Sequence, residues 1–270
     1  HTYASSGTYT VTIEGAVTTF RFNNSGDRRK IVDISNWGGF DVTNTEVFHG
    51  CENLDITAND APLFTASSVY RMFRGCTSLT SPNLSGWDVS GITIFNSMFV
   101  NCPNFDTNSL SGWDVSSGSD FSSMFWGSGG SIPQFNGDVS GWNLSSATIT
   151  RGMFGQDYNL SHPFNVDISS WDVSSVTNMD RMFKGADFFD QDLSAWQINQ
   201  VSNFSNFMQG VTLSTANYDA LLIAWDAQGA MSYSGTVNFG GSQYTSGGAA
   251  ETARTSLIAK WGGIVDGGAA

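Results

Sequence analysis

The sequence predicts a mainly β repeat solenoid, a coil with one parallel sheet face, closed by a β-strand cap at the N-terminus and a mixed α/β cap at the C-terminus. Three observations predict it. Tryptophans recur at Trp87, Trp113, Trp142, Trp171, Trp196 and Trp225, spaced by 26, 29, 29, 25 and 29 residues. An apolar pair follows the first five at a constant offset of 11, as Met98-Phe99, Met124-Phe125, Met153-Phe154, Met182-Phe183 and Phe207-Met208. A unit of ~25 residues is too short to bury its own apolar face, and neighbouring units that share one continuous core solve that problem. Trp37 continues the series 50 residues before Trp87, and the missing member falls at Ala61, eleven residues before Met72.

Residues 1–30 stand outside the repeat. In HTYASSGTYTVTI, Tyr9, Val11 and Ile13 alternate with threonines, which reads as half of a β-hairpin. The string is similar to the closing strands of PKD-type immunoglobulin-like domains, so the expectation is a strand cap or the remnant of such a sandwich. A chain starting at His1 is expected to be a processed or truncated product. Arg28, Arg29 and Lys30 then form a cationic triplet, either a solvated cluster or an anion site.

Residues 31–211 are the repeat array. A short alternating run precedes each tryptophan: NLSGW at 83–87, SLSGW at 109–113, DVSGW at 138–142, DISSW at 167–171 and DLSAW at 192–196. Period-two alternation predicts a half-buried strand, side by side with its copies at ~4.8 Å. The tryptophans are expected in the core, each contributing a gross ~5 kcal/mol before entropy is subtracted. Phe95, Phe105, Phe121, Phe188 and Phe189 are expected there too. Cys51, Cys76 and Cys102 share one column without metal spacing, and are expected to be reduced, small apolar fillers.

Residues 212–270 change texture. The stretches 215–228 and 247–263 carry apolar residues at helical spacing, the first with Thr215 as N-cap, the second ending in glycines, and SGTVNFGG between them reads as a strand. They are expected to close the exposed end of the core.

With these columns in register, the pattern GWDVSxxTxxxxMFxxCxxL, read in SGWDVSGITIFNSMFVNCPNF at 85–105 and SSWDVSSVTNMDRMFKGADFF at 169–189, resembles the BspA-like leucine-rich-repeat surface proteins in their Trp-Asp-Val-Ser/Met-Phe variant. The resemblance spans residues 31–240 approximately. It implies a leucine-rich-repeat-like right-handed coil and a secreted or surface-displayed adhesion protein of bacterial or phage type. No catalytic residues carry over from it.

Composition narrows the partners. A net charge of −13 and a pI near 4.3 argue against nucleic acid, whose phosphates need a basic surface. No run of ~18 apolar residues occurs, so no direct membrane insertion is expected. Neutral glycans, cations or another protein are easier ligands. The outward positions of the predicted strands include Asp138, Asp167 and Asp192 with Ser140, Ser169 and Ser194, an acidic and hydroxyl ribbon that is one candidate binding surface. Three carboxylates ~5 Å apart repel by roughly 1 kcal/mol per neighbouring pair in water. Either bound Ca²⁺ relieves this, or each aspartate accepts hydrogen bonds from its own turn. No other cofactor or metal is expected. Aromatics outside the core columns, Trp126 and Tyr158 above all, are the other ligand candidates, and Arg71, Arg74, Arg151, Arg181 and Lys184 all fall within two residues of a Met-Phe pair.

Catalysis is not expected. His1, His49 and His162 sit in no nucleophile motif, and no phosphate loop or dinucleotide fingerprint appears. Two readings remain. One is an extracellular recognition or adhesion module, displayed on a cell or virion surface, that binds a cell-surface glycan or protein through the repeat face. The other is a structural spacer or decoration subunit of an extracellular fibre or virion, in contact with copies of itself or another fibre subunit.

Overall fold

The computed structural model describes residues 4–15, 17, 20–157 and 162–270. Regular elements among them are short: β1 (Asp33–Ile34), β2 (Asp41–Val42), β3 (Asp55–Ile56), β4 (Leu63–Phe64), α1 (Thr215–Asp226), β5 (Gly235–Asn238), α2 (Ala249–Trp261) and β6 (Gly262–Val265). All three strand pairs, β1 with β3, β2 with β4 and β5 with β6, are parallel. Between β4 and α1 the units are joined by single parallel bridges that run Ser68, Ile94, Asp120, Ile149, Asn178, Asn203.

These bridges sit on the approach to the Met-Phe pairs. There Phe73, Phe99, Phe125, Phe154 and Phe183 donate their amides to the carbonyls of Met98, Met124, Met153, Met182 and Phe207 of the following unit, at 2.9 to 3.0 Å. A hydroxyl line runs beside them. Thr93, Ser119, Thr148, Thr177 and Ser202 each donate a side-chain hydroxyl to the backbone carbonyl of the preceding member, starting from Ser67. A third line uses amides at a corner: Oδ1 of Asp106, Asn136, Asn165 and Asp190 accepts the backbone N–H of Asn136, Asn165, Asp190 and Ser214 respectively. Buried backbone groups must find partners, and here they find them one unit away.

The strands expected just before the tryptophans do not form. The amides of Trp87, Trp113, Trp142, Trp171 and Trp196 instead fold back onto the carbonyls of Leu84, Leu110, Val139, Ile168 and Leu193, each at 3.1 Å, which closes a turn. The cause is local. Asp138, Asp167 and Asp192 accept the amide of the serine two residues on, and such side-chain bonds compete with a ladder for the same backbone. Alternation survives as burial, with the aspartates exposed and Val139, Ile168 and Leu193 buried.

The Met-Phe segments are turns as well. Arg71, Ser97, Ser123, Gly152, Arg181 and Asn206 occupy the left-handed region, with φ between 53° and 60°. Each is third in a turn closed by the next residue, as Met98 N–H closes on Phe95 O. That position demands positive φ and favours glycine or asparagine. The side chains found there are held against an intrinsic cost of roughly 1 kcal/mol each by the pairing on either side.

Three lines of rings fill the interior. The indoles of Trp87, Trp113, Trp142 and Trp171 lie nearly parallel at 6.2 to 6.5 Å. Phe73, Phe99, Phe125, Phe154 and Phe183 stack at 5.6 to 6.0 Å, and Phe105, Phe135, Phe164 and Phe189 at 5.8 to 6.4 Å. Phe95 and Phe121 are also buried, but Phe188 is not: its ring is 59% exposed, and Phe189 takes the core position. Cys51, Cys76 and Cys102 are buried free thiols.

In the C-terminal segment, Ser214 rather than Thr215 caps α1 and accepts the Asn217 amide. Glycine ends α2 at Gly262, φ 112°. The helices are tied by Lys260 to Asp226 at 2.7 Å, and α2 to the end of the chain by the Arg254–Asp266 pair. Trp225, though on α1, still occupies the tryptophan column and donates its indole N–H to Leu193 O. At the other end, residues 4–15 form no strand, and Tyr9, Val11 and Ile13 are exposed. Tyr9 donates its hydroxyl back to the Ser5 carbonyl within the same segment. The cationic triplet is a single 3-10 turn, with Arg29 paired to Glu52 at 2.8 Å and Lys30 to Asp27 at 2.9 Å, both exposed, while Arg28 is half-buried.

Candidate functional site: a cationic cavity at Trp126

A notch follows from the column register. Immediately before the Met-Phe methionine, three successive units carry Ser123, Gly152 and Arg181; two residues after it they carry Trp126, Gly155 and Lys184. The middle unit thus supplies hydrogen atoms where its neighbours supply side chains. The result is a cavity of about 430 Å³ lined by Ser123, Trp126, Arg151, Gly152, Asp157, Arg181 and Lys184.

The indole of Trp126 leans over the two glycines. A Cβ at Gly155 would lie 2.5 Å from Cζ3 of Trp126 and 2.6 Å from the Arg181 carbonyl, and one at Gly152 would lie 2.8 Å from Cε3. The floor beneath is the interunit ladder: Ser123 N–H to Arg151 O at 2.7 Å, Gly152 N–H to Asp180 O at 2.8 Å, and Gln156 N–H to Lys184 O at 2.8 Å. Gln156 is itself buried and donates its side-chain amide to Gly185 O. The walls therefore rest on fixed backbone.

Charge is concentrated at one end. Arg151 Nε and Arg181 Nη1 both donate to Oδ2 of Asp180, at 3.0 and 3.1 Å. The Asp180 side chain is 8% exposed against 47% for Arg151, so the carboxylate lies beneath the guanidinium groups it aligns. Lys184 makes no ion pair among the described residues, and the exposed Asp157 is the remaining acid of the lining. Three cations thus meet two carboxylates in a chain whose formal charge is −13.

Of the sequence-predicted site residues, the cavity gathers only Trp126. Tyr158 lies outside the described residues, next to Asp157. Asp138, Asp167 and Asp192 are exposed on the turns before the tryptophans, and Ser140, Ser169 and Ser194 are half-buried beside them. Ser140 also donates its hydroxyl to Asp138, at 2.7 Å. Serine hydroxyl bonds hold the Asp138 and Asp167 carboxyls below the usual range, supported by the serine amides. Among the described residues, no group of three or more His, Cys, Asp or Glu side chains could hold a metal ion. The acidic ribbon is thus a row of self-satisfied turns. Arg151, Arg181 and Lys184 were legible as cations near Met-Phe pairs, but not as one group; the signal that joins them is the pair of glycines at 152 and 155.

The DUF285 family, described as "Mycoplasma protein of unknown function", matches three overlapping stretches, residues 18–128, 67–163 and 134–239. No curated protein and no solved structure matches the chain.

Proposed function

The chain belongs to the DUF285 family, and on that premise we propose that its units wind into a right-handed, leucine-rich-repeat-like solenoid of BspA-like type that serves as an extracellular recognition module. It binds a surface glycan or protein through the Trp126 cavity and the Met-Phe arc around it. Parallel pairing from unit to unit and the three lines of rings support the coil. One observation carries the recognition reading. Trp126 is a large, half-buried aromatic side chain outside the core columns, set beside three cations on a hydrogen-bonded backbone floor. Ligand sites pair a few well-placed polar groups with an aromatic surface in this way.

The role is non-catalytic in this reading. His162 is buried with Nδ1 accepting the Phe164 amide, and His49 faces Glu46 at 3.5 Å, so each serves the fold.

The test is a glycan array with a panel of extracellular matrix proteins, probed with the wild-type chain and with Trp126→Ala. Saturable binding that the substitution abolishes is expected. Wild-type and variant signals that coincide at background would remove the module reading and leave the spacer role. A spacer draws support from the lines of stacked rings that join successive units, and it would show salt-dependent self-association in light scattering.

A further inference from the structure

We infer that the ligand of the Trp126 cavity is an acidic sugar, one hexose-sized ring carrying a carboxylate or sulfate; the inference rests on the recognition reading above. Each wall points to one part of such a molecule. The indole of Trp126 offers a flat apolar surface for the C–H face of a pyranose. Its ring N–H has no partner among the described residues and is not enclosed, whereas Trp113, Trp142, Trp171, Trp196 and Trp225 all donate theirs to backbone carbonyls. Ser123 adds a hydroxyl at the rim.

The anion is called for by the other end. Asp180 fixes two guanidinium groups through a single oxygen and so orients both while neutralising only one. Arginine forks favour oxyanions that can accept two N–H bonds, and Lys184 stands beside them as a further positive charge. A neutral sugar would leave this surplus of positive charge without a counterpart.

Net charge sets the length of the ligand. At −13 the whole chain repels extended polyanions. Short-range contacts within one cavity survive that repulsion, since at physiological salt charges are screened beyond ~8 Å. The ligand is therefore a terminal acidic residue on an otherwise neutral glycan, and a continuous polyanion is selected against.

The indole N–H resonances of the nine tryptophans provide the readout. Trp126→Phe assigns one of them. Oligosaccharides ending in glucuronic acid, in sialic acid or in a sulfated hexose are titrated separately, each beside its neutral parent. The expected result is that an acidic probe shifts the Trp126 signal and its parent does not, and that Lys184→Ala and Arg151→Ala each weaken the effect about tenfold while the other indole signals stay in place. Which acidic probe acts distinguishes carboxylate from sulfate. A neutral parent that shifts Trp126 equally would overturn the acidic assignment and leave the recognition module standing. Silence of Trp126 toward every probe also overturns it, and the array comparison of wild type with Trp126→Ala then decides the broader reading alone.

Discussion

The indole N–H of Trp142 donates to the carbonyl of Leu110 at 2.9 Å, and that carbonyl already accepts the backbone amide of Trp113. One buried oxygen thus uses both lone pairs, one within its own turn and one toward the next unit. Trp113, Trp171, Trp196 and Trp225 repeat the arrangement. Trp87 does not: its indole N–H is buried without a partner, and the unit before it carries Ala61 in the tryptophan column.

That contrast gives a paired prediction. Trp142→Phe keeps an aromatic ring but loses a hydrogen bond, whereas Trp87→Phe loses the same ring volume and removes an orphaned donor. The first is expected to cost about 1 kcal/mol more than the second. Urea unfolding midpoints of the two variants decide it, and equal shifts would show that the indole bonds contribute nothing.

At the cavity floor, Gly152→Ala places a Cβ at φ 60° and 2.8 Å from the Trp126 ring. The left-handed backbone alone costs about 1 kcal/mol, and the ring must also move. Adding Trp126→Ala is expected to recover the steric part, a coupling of roughly 1 kcal/mol in a double-mutant cycle. Strict additivity would mean that the indole does not rest on Gly152.

Calcium removal is expected to change nothing. Asp138, Asp167 and Asp192 each accept the amide of the serine two residues on, and no metal-sized group forms among the described residues. The thermal midpoint should be the same with EDTA as with added Ca²⁺. A fall of several degrees in EDTA would restore the cation reading of the acidic ribbon.

Burial pushes the His162 imidazole down to about 4 from its ordinary 6.5. Between those values the folded protein holds this ring neutral while the unfolded chain protonates it. The contribution to stability is complete above pH 6.5 and is lost as pH falls toward 4, by about 3 kcal/mol in all. The stability difference between wild type and His162→Gln should narrow by that amount between pH 7 and pH 4, with a slope near 1.4 kcal/mol per pH unit. A pH-independent difference would mean that the ring titrates freely.

Burial likewise raises the thiols of Cys51 and Cys102 to about 12, and that of Cys76 well above its ordinary value. A thiolate-dependent reagent at pH 8 should find none of the three in the native protein, and all three in denaturant. Fast native labelling would show the column to be open.

The recurring tryptophans and Met-Phe pairs made the repeat legible, because side chains that meet copies of themselves must keep register. Strand placement was not legible. In DVSGW the alternation of Asp138, Val139 and Ser140 fits a strand and an aspartate-capped turn equally, and the hydrogen bond from Ser140 to Asp138 decides for the turn. The pairing instead follows Thr93, Ser119 and Thr148, a hydroxyl column whose meaning appears only once each residue is seen to bond the one before it. Ser97 and Arg181 hide positive φ values that glycine would have announced. At the site, Trp126 stood out as a ring without a column, but the cavity is made by what Gly152 and Gly155 omit.

The corner line from Asp106 through Asn136, Asn165 and Asp190 to Ser214 carries a consequence for how the gene tolerates change. Every link joins a residue only to its counterpart in the adjacent copy, so excising or duplicating a whole copy leaves all lines in phase. Losing a single codon between a tryptophan and the Met-Phe pair eleven residues on throws the hydroxyl or Met-Phe line out of phase with the indole line. The eleven-residue stretch is therefore expected to keep its length, and changes elsewhere to come as whole copies or beyond the Met-Phe pair.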